Sequence, residues 1–179
     1  MAALQPPFAS DLLNGHVAVV CGSTQGIGLA AARLLASMGA TLILVARNEE
    51  KLKNVVKALP QPHLHHSWIK ADFSVDDEVN QVAEALKSKE VTILVNNTGG
   101  PASGKITDAK VDAFADAFRN HLVANHKLTT AVLDGMKKRG YGRIINVIST
   151  SVKQPLPNLG VSNTIRGAVA SWAKTMANE

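Results

Sequence analysis

Short apolar runs alternate with amphipathic stretches along this chain, and that alternation predicts its secondary structure. Five runs are apolar at almost every position, as in strands that are buried on both faces of a sheet. They occupy residues 16–20, 41–46, 67–70, 91–95 and 143–148. Apolar residues at helical spacing predict helices over 29–38, 49–59, from 76, over about 108–138 and from about 160 to the end. This alternation predicts an α/β fold of three layers, a doubly wound parallel sheet of about five strands with helices on both faces.

The whole length is expected to form one unit. A chain of 179 residues is long enough for one domain with a sizeable core, and it contains no internal repeat or sign of a second domain. Residues 1–12 are expected to be an N-terminal arm, because Pro6 and Pro7 discourage regular structure. We therefore expect a single domain over 1–179.

The composition is typical of a globular protein, with 46% hydrophobic and 18% charged residues. A net charge of +5 would suit a nucleic-acid partner, but the cations are scattered. The densest group lies at one helix-to-strand junction and comprises Lys137, Lys138, Arg139 and Arg143. Aromatic residues make up only 4% of the chain, which leaves no stacking platform for bases. We therefore predict a solvated basic surface and no nucleic-acid partner.

Membrane, disulfide-rich and metal-binding classes are not favoured either. No apolar run is long enough for a membrane span and the first ten residues lack the layout of a signal peptide, so we predict no membrane partner and a cytoplasmic location. The single cysteine, Cys21, rules out an internal disulfide framework and is expected to be a small buried residue. His63, His65 and His66 have ligand-like spacing, but no carboxylate or thiolate lies nearby in the sequence, and we predict no metal site.

A glycine-rich turn joins the first predicted strand to the first predicted helix. It has the form Gly-x-x-x-Gly-x-Gly and extends from Gly22 to Gly28. Glycines let the backbone approach a phosphate closely, and the free N–H groups and dipole of a helix start favour negative charge. A strand, a glycine-rich turn and a helix in this order predict a site for the pyrophosphate of a dinucleotide.

Four further motifs follow in order along the chain. They are Ala46-Arg47 after the second strand, Asp72 after the third, Asn96-Asn97-x-Gly99 after the fourth, and Gly142-Arg143-Ile144-Ile145-Asn146-Val147-x-Ser149 at the fifth. Together with the glycine-rich turn they resemble the short-chain dehydrogenase/reductase family over residues 12–179. The branch that looks closest is that of the 3-oxoacyl-acyl-carrier-protein reductases. The resemblance implies a Rossmann fold that binds a nicotinamide dinucleotide.

The same resemblance implies a set of cofactor contacts. Asp72, which precedes Phe73, would meet the adenine amino group, and Asn96 would line the cofactor cleft and steady the fourth strand. Asn97 and Gly99 complete the motif after that strand. The pyrophosphate loop would comprise Gly22, Ser23, Thr24, Gln25, Gly26, Ile27 and Gly28.

Arg47 bears on the choice of cofactor. It lies just past the second strand, where the adenosine ribose would arrive. A carboxylate at this place would accept a hydrogen bond from the ribose 2′-hydroxyl, whereas an arginine suits a 2′-phosphate. NADP(H) is therefore favoured over NAD(H). The alternative is that Arg47 is a solvated loop cation.

In this family the reaction is hydride transfer between nicotinamide and a carbonyl or alcohol. A serine orients the carbonyl oxygen, a tyrosine exchanges the proton, and a lysine four residues later lowers the tyrosine pKa and holds the nicotinamide ribose. An asparagine in the long helix supports a water relay. Ser149 matches the serine, Ser162 stands at the tyrosine position and Arg166 at the lysine position. His121 stands at the asparagine position, with Asn120 there if the register slips by one.

The usual proton donor is therefore missing. The only tyrosine, Tyr141, precedes the fifth strand, away from the cofactor. A serine hydroxyl is a poor general acid near neutral pH, and an arginine stays protonated and cannot relay a proton. Two substitutes are open as hypotheses: Lys153, turned into the cleft as acid or electrostatic clamp, and His121, with a pKa expected near neutrality. The structural alternatives are a solvated loop lysine and an internal, hydrogen-bonded histidine.

Two functions of different classes are consistent with these residues. The first is an NADP(H)-dependent oxidoreductase for a small-molecule carbonyl or acyl thioester substrate, such as a 3-oxoacyl thioester. The second is a non-catalytic dinucleotide-binding protein, a pseudoenzyme or oligomer subunit with the same pocket. The absent tyrosine favours the second function, whereas the phosphate loop, Asp72, Asn96 and Ser149 indicate a pocket shaped for a dinucleotide.

The resemblance also implies an assembly and a continuation of the sheet. Members of the family form homodimers or homotetramers that pack through the long helix (about 108–138) and the last helix. They continue past the position of Glu179 with further strands and a segment that covers the substrate. We therefore expect a C-terminally truncated sheet, open at the edge beside the fifth strand.

Overall fold

The computed structural model describes residues 8–179, and these contain one parallel sheet of five strands. Its strands are β1 Val17–Cys21, β2 Thr41–Ala46, β3 Ser67–Lys70, β4 Ile93–Asn96 and β5 Arg143–Asn146. Their order in space is β3-β2-β1-β4-β5, so the chain builds one half of the sheet and then crosses to the other side of β1. Open α/β sheets bind ligands at such a switch point, beyond the carboxyl ends of the strands.

In the same residues, six α-helices connect and cover the strands. They are α1 Gly26–Ser37, α2 Glu49–Lys57, α3 Asp76–Leu86, α4 Val111–Phe118, α5 Ala124–Arg139 and α6 Gly160–Asn178. The helices α1 and α2 pack on one face of the sheet, and α3 and α5 pack on the other. The last helix, α6, lies against α4. The predicted three-layer, doubly wound parallel sheet is therefore confirmed.

The central strand shows why apolar runs became strands. Ala18 and Val20 of β1 belong to the core under α1 and α2, whereas Val19 and Cys21 belong to the core under α3 and α5. All four are fully buried. A strand with two buried faces needs no polar alternation, so its sequence is continuously apolar. Burial also raises the pKa of the Cys21 thiol to about 12, which leaves it protonated and unreactive at neutral pH.

The long helix predicted over about 108–138 is interrupted. Residues 106–108 form a short 3-10 turn and Lys110 is extended, so α4 begins only at Val111. Between α4 and α5 the backbone forms a π-helical turn over Arg119–Val123. A π turn adds one residue to the helix and rotates the side chains on either side of it relative to each other.

The segment before β1 is hydrogen-bonded to the loop after α1, whereas β5 forms an edge of the sheet. Of the predicted arm, residues 1–7 lie outside the described residues, and residues 8–12 precede Leu13, which is 9% exposed. The backbone N–H of Leu13 donates to Met38 O at 2.7 Å, which fixes the chain just before β1. At the other end, β5 pairs only with β4 and forms an edge of the sheet. No helix in residues 8–179 is both long and apolar enough to cross a membrane.

Candidate functional site

A cleft of about 690 Å³ lies at the carboxyl ends of the central strands. Loops that follow β1, β2, β3 and β4 form its walls, so residues far apart in the chain meet there. The lining residues are Gly22, Thr24, Gln25, Gly26, Ile27, Ala46, Arg47, Asn48, Lys51, Ala71, Asp72, Phe73, Ser74, Asn97, Thr98, Gly99, Gly100 and Asn120. Its volume is in the range of small-molecule and cofactor sites.

The glycine-rich turn is tightly packed at Gly22 and Gly28 and open at Gly26. A Cβ on Gly22, where φ is +60°, would lie 2.5 Å from Asn97 O, and a Cβ on Gly28 would collide with Gly22 O. At Gly26, by contrast, nothing lies within 4 Å of the position of a Cβ. Two of the three glycines therefore permit close packing of the turn on the sheet, and Gly26 leaves bare backbone facing the cleft.

The start of α1 suits a negatively charged group. Gln25, the residue before the helix, makes no side-chain capping hydrogen bond, and the first turn contains no acidic residue. The first N–H groups of a helix have no partner within it, so an uncapped start can donate to phosphate oxygens. Together with the open backbone at Gly26, this donor set fits a dinucleotide pyrophosphate.

The side chain of Asn97 holds the glycine-rich turn in place. Asn97 Nδ2 donates to Cys21 O at 3.2 Å and to Gly22 O at 3.4 Å. These bonds join the loop after β4 to the loop after β1, across the switch point of the sheet. Asn97 and Gly99 both line the cleft.

Arg47 and Asp72 lie side by side in the cleft lining, just after the neighbouring strands β2 and β3. Their side chains approach to 4.0 Å between Arg47 Nη1 and Asp72 Oδ2, and the arginine side chain is 77% exposed. Asp72 Oδ1 accepts from Ser74 N at 2.9 Å and from Ser74 Oγ at 2.7 Å. Burial opposes ionisation of Asp72, but these hydrogen bonds and the charges of Arg47 and Lys70 outweigh it and hold its pKa below the usual range. Asp72 is therefore a carboxylate, and the loose, exposed pair leaves Arg47 available for another anion.

Lys51 is a cleft residue that sequence reasoning missed. It lines the cleft from the first turn of α2, four residues after Arg47. Asn48 caps this helix, because its Oδ1 accepts from Lys51 N at 2.8 Å. Its position in the first turn after β2 brings it near this edge of the sheet, but the direction of α2 decides whether it lines the cleft. Two cations therefore stand at the place predicted for the adenosine ribose.

Three predicted cofactor residues lie beneath the cleft and not in its lining. Ser23 is fully buried and its Oγ donates to Val45 O at 3.4 Å. Gly28 is packed against Gly22. Asn96 is 2% exposed, and its Nδ2 donates to Asn146 Oδ1 at 2.9 Å. This hydrogen bond joins β4 to β5, which fits the expectation that Asn96 steadies the fourth strand. Asn96 does not line the cleft, so that part of the expectation is wrong.

Ser149 follows the end of β5, and Arg166 is hydrogen-bonded to the same segment at Val147; neither residue is in the lining of the cleft. Ser149 is half-buried and its Oγ accepts from Ser151 N at 3.1 Å, which leaves its O–H free to donate. Arg166 comes from α6, and its Nη1 donates to Val147 O at 2.9 Å. Burial lowers the pKa of this guanidinium from its ordinary value, yet such a group stays protonated in proteins. Ser162, one helical turn before Arg166, is half-buried.

The π turn decides which residue of the long helix faces the cleft. Asn120 lines the cleft, and its Oδ1 is buried without a hydrogen-bond partner among the described residues. His121 points inward, is 2% exposed, and has Nδ1 2.6 Å from Thr98 Oγ1. Burial, and then the charge of Arg166, lower the pKa of His121 to about 4. The expectation of a pKa near neutrality is therefore wrong, and His121 is neutral at pH 7.

The remaining candidates lie away from the cleft. Lys153 is exposed and is not among the lining residues, so the expected turn into the cleft is absent. Tyr141 packs against His16 at the amino end of the sheet, with the ring centroids 4.5 Å apart. His66 Nδ1 accepts from Leu42 N at 3.1 Å, and its Nε2 donates to Pro60 O at 2.8 Å. Within the described residues, no three His, Cys, Asp or Glu side chains are grouped so that they could hold a metal ion.

A family model described as short chain dehydrogenase matches residues 16–179. The chain belongs to this family. The predicted family and its doubly wound parallel fold are therefore confirmed. Members of the short-chain dehydrogenase family bind NAD(H) or NADP(H) and act on small-molecule substrates.

Individual relatives carry different names. Inactive hydroxysteroid dehydrogenase-like protein 1 of Homo sapiens is 36% identical over 176 residues, which are 95% of this chain and 53% of that protein. A Streptomyces virginiae protein named as a ketoacyl reductase of the monensin polyketide synthase is 35% identical over 170 residues, 93% of this chain and 65% of the relative. This chain therefore spans about half to two thirds of the length of these relatives.

Solved structures agree with the fold. The structure of L-sorbose reductase from Gluconobacter frateurii, complexed with NADPH and L-sorbose, superposes with a TM-score of 0.86 at 30% sequence identity. The superposition covers 94% of this chain and 65% of that one. The ketoacyl reductase among the sequence relatives supports the predicted branch of the short-chain dehydrogenase family.

Proposed function

We propose that this chain binds NADP(H) in the cleft and serves hydride transfer between the nicotinamide and a small carbonyl or alcohol compound. The observation that carries the proposal is the meeting of an uncapped, glycine-rich helix start with two cations and Asp72 at one switch point. The L-sorbose reductase structure is that of a complex with NADPH, which agrees with this cofactor. When bound, the nicotinamide would donate or accept the hydride.

The preference for NADP(H) rests on charge at the end of β2. Arg47 and Lys51 line the cleft there, whereas the carboxylate of Glu49 forms an ion pair with Lys53 at 2.7 Å and is not in the lining. An arginine fork and an ammonium group both suit a 2′-phosphate, and an NAD-specific site would present a carboxylate to the 2′-hydroxyl.

The substrate would lie at the end of β5. Ser149 can donate its O–H to a carbonyl oxygen, because its own oxygen is held by Ser151 N. Arg166 supplies a fixed positive charge and can donate to ribose hydroxyls. Ser162 stands where a proton donor is needed but is a weak acid. A 3-oxoacyl thioester is the substrate class that the name of the ketoacyl reductase relative suggests.

A non-catalytic, nucleotide-binding role is the second candidate, and a specific observation favours it. Neither substitute acid is placed to deliver a proton at neutral pH, because His121 is neutral and buried and Lys153 is exposed outside the cleft lining. The human relative is also named as inactive. Oxidation of NADPH by a carbonyl compound would support the oxidoreductase, and NADPH binding without turnover would support the second role.

We also propose that copies of the chain associate as a homodimer or homotetramer through α4, α5 and α6. On α4, Val111 is 83% exposed and Phe118 is 44% exposed. A groove of about 470 Å³ lies between the ends of α5 and α6, and Met136, Trp172 and Met176 are among its lining residues. Apolar helix surface of this kind is typical of a helical interface.

A fluorescence titration with NADPH and, in parallel, with NADH tests the cofactor proposal. We expect NADPH to bind at least about tenfold more tightly, because a charged hydrogen bond to phosphate contributes about 1.5–3 kcal/mol. Arg47→Gln should reduce the preference for NADPH by weakening NADPH binding, with Lys51 still present, and should leave NADH binding unchanged. Arg33→Gln, an exposed cation of α1, is the matched control and should alter neither.

Equal affinity for the two nucleotides in the unchanged chain would contradict the preference for NADP(H). The absence of binding by either nucleotide would contradict a dinucleotide site in this polypeptide.

A further inference from the structure

Arg166 is a buried cation without an anionic partner in the chain. It is 9% exposed, and no carboxylate in residues 8–179 lies within 4.0 Å of its guanidinium. Residues 1–7 contain no Asp or Glu. Burial of a charge is strongly unfavourable unless an opposite charge or several hydrogen bonds compensate it. One hydrogen bond, to Val147 O, satisfies only one of the five N–H groups of this guanidinium.

The free side of the guanidinium faces the border of the cleft. A Cβ on Gly100 would lie 3.8 Å from Arg166 Nη2, so this nitrogen is directed at the loop after β4. Gly100 lines the cleft. Because position 100 has no side chain, a ligand at this border can approach Nη2 from the cleft.

The side chains of His121, Ser149 and Ser162 carry no charge that could balance Arg166. His121, from the π turn, carries no charge at pH 7, because burial and the neighbouring arginine hold its pKa at about 4. Ser149 follows Val147 by two residues, and Ser162 lies one helical turn before Arg166, on the same face of α6. Both serines can donate a hydrogen bond, but neither can balance a positive charge. These three side chains therefore leave the charge of Arg166 unbalanced.

We propose that the ligand of this site carries a carboxylate, which Arg166 binds through the guanidinium edge beside Gly100. The two oxygens of a carboxylate match the fork of an arginine, and they supply the negative charge that ribose hydroxyls or a neutral thioester would not. The substrate class is then an oxo acid and not an uncharged 3-oxoacyl thioester. This inference rests on the proposed function, because it places the carbonyl compound at the same site, next to Ser149.

A pair of probes with one acyl group separates the two substrate classes. Acetoacetate carries the charge, and S-acetoacetyl-N-acetylcysteamine carries the same 3-oxoacyl group as a neutral thioester. Isothermal titrations at constant ionic strength, each with and without saturating NADPH, should show acetoacetate binding at least about tenfold more tightly. Inorganic phosphate, titrated in the same way, tests whether another anion is the preferred ligand.

Substitutions then identify the residue responsible. Arg166→Gln should weaken acetoacetate binding at least about tenfold and leave the thioester within about twofold. Lys174→Gln removes one positive charge from the exposed side of the same helix and should leave both probes unchanged. Arg166→Lys keeps the charge and loses the fork, so acetoacetate should bind a few-fold more weakly. If circular dichroism shows that Arg166→Gln does not fold, Arg166→Lys replaces it in the test.

Three results would overturn the assignment: equal affinity for the two acyl probes, binding of acetoacetate that neither Arg166 variant alters, or binding of phosphate without binding of acetoacetate. If NADPH binds and acetoacetate does not, the carboxylate assignment fails while the cofactor proposal stands. If NADPH also fails to bind, the proposed function itself is wrong.

Discussion

At the scale of single residues, His121 illustrates how surroundings fix what a side chain can do. A free histidine titrates near neutrality, but this one is enclosed by the π turn, contacts Thr98 and lies near a permanent cation. With a pKa of about 4, roughly one molecule in a thousand is protonated at pH 7. His121 is therefore a hydrogen-bonding group of the interior and a poor source of protons.

The depressed pKa of His121 predicts a loss of stability in acid. Between pH 6.5 and 4 the unfolded chain binds a proton at this histidine and the folded chain does not, so unfolding becomes more favourable as pH falls. Protonation of His121 in the unfolded chain does not reduce the free energy of unfolding above pH 6.5. At pH 4 it makes the free energy of unfolding about 2–3 kcal/mol smaller. Urea unfolding at pH 7 and at pH 5 measures it.

Substitution isolates this effect from the carboxylates that also titrate in acid. His121→Asn should reduce the difference in unfolding free energy between the two pH values. His63→Asn, at an exposed position, should leave that difference as it is in the unchanged chain. A pH difference of the same size in His121→Asn would contradict the assignment.

At the scale of elements, the same substitution should have opposite effects in two helices. Gly28 in α1 is buried against Gly22 O, whereas nothing lies within 4 Å of a Cβ on Gly167 in α6. Gly28→Ala forces the glycine-rich turn off the helix and should lower the unfolding free energy by about 2–4 kcal/mol. Gly167→Ala should raise it by about 0.5–1 kcal/mol, because alanine is the better helix former.

Thermal or urea unfolding of the two variants tests this contrast. NADPH affinity, measured on the same samples, should fall only in Gly28→Ala. Similar stability for both variants would mean that the close packing of the turn is not maintained in solution.

The sequence predicted elements better than it predicted which side chains face the cleft. The continuously apolar run of β2, a strand buried on both faces, located that strand residue by residue, whereas only Trp68 and Ile69 marked the half-buried edge strand β3. The π turn left no such trace, because one extra residue in a helix barely alters the spacing of its apolar positions. For that reason the choice between Asn120 and His121 could not be made from the sequence. Lys51 was missed because its place in the cleft depends on the direction of α2.

At the scale of the whole molecule, the helical surface of α4, α5 and α6 should decide the oligomeric state. Size-exclusion chromatography with light scattering should give the mass of a dimer or tetramer. Trp172→Ala removes the largest apolar side chain from the groove between α5 and α6 and should shift the mass towards that of one chain.

The second tryptophan provides the control. Trp68 lies on β3, at the far edge of the sheet, and packs against the core under α1 and α2. Trp68→Ala should lower stability without changing the mass. A single-chain mass for the unchanged protein would contradict the proposed association.

The central position of β1 also sets the order in which the sheet can form during translation. Of the five strands of the sheet, β1 is synthesised first, and β2 soon covers one of its edges. The other edge pairs with β4, which emerges only after α2, β3 and α3 have been made. Throughout that interval the nascent chain presents unpaired N–H and C=O groups along an apolar strand, a template for wrong pairing. A chaperone that shields this edge would be needed most between the synthesis of β2 and that of β4.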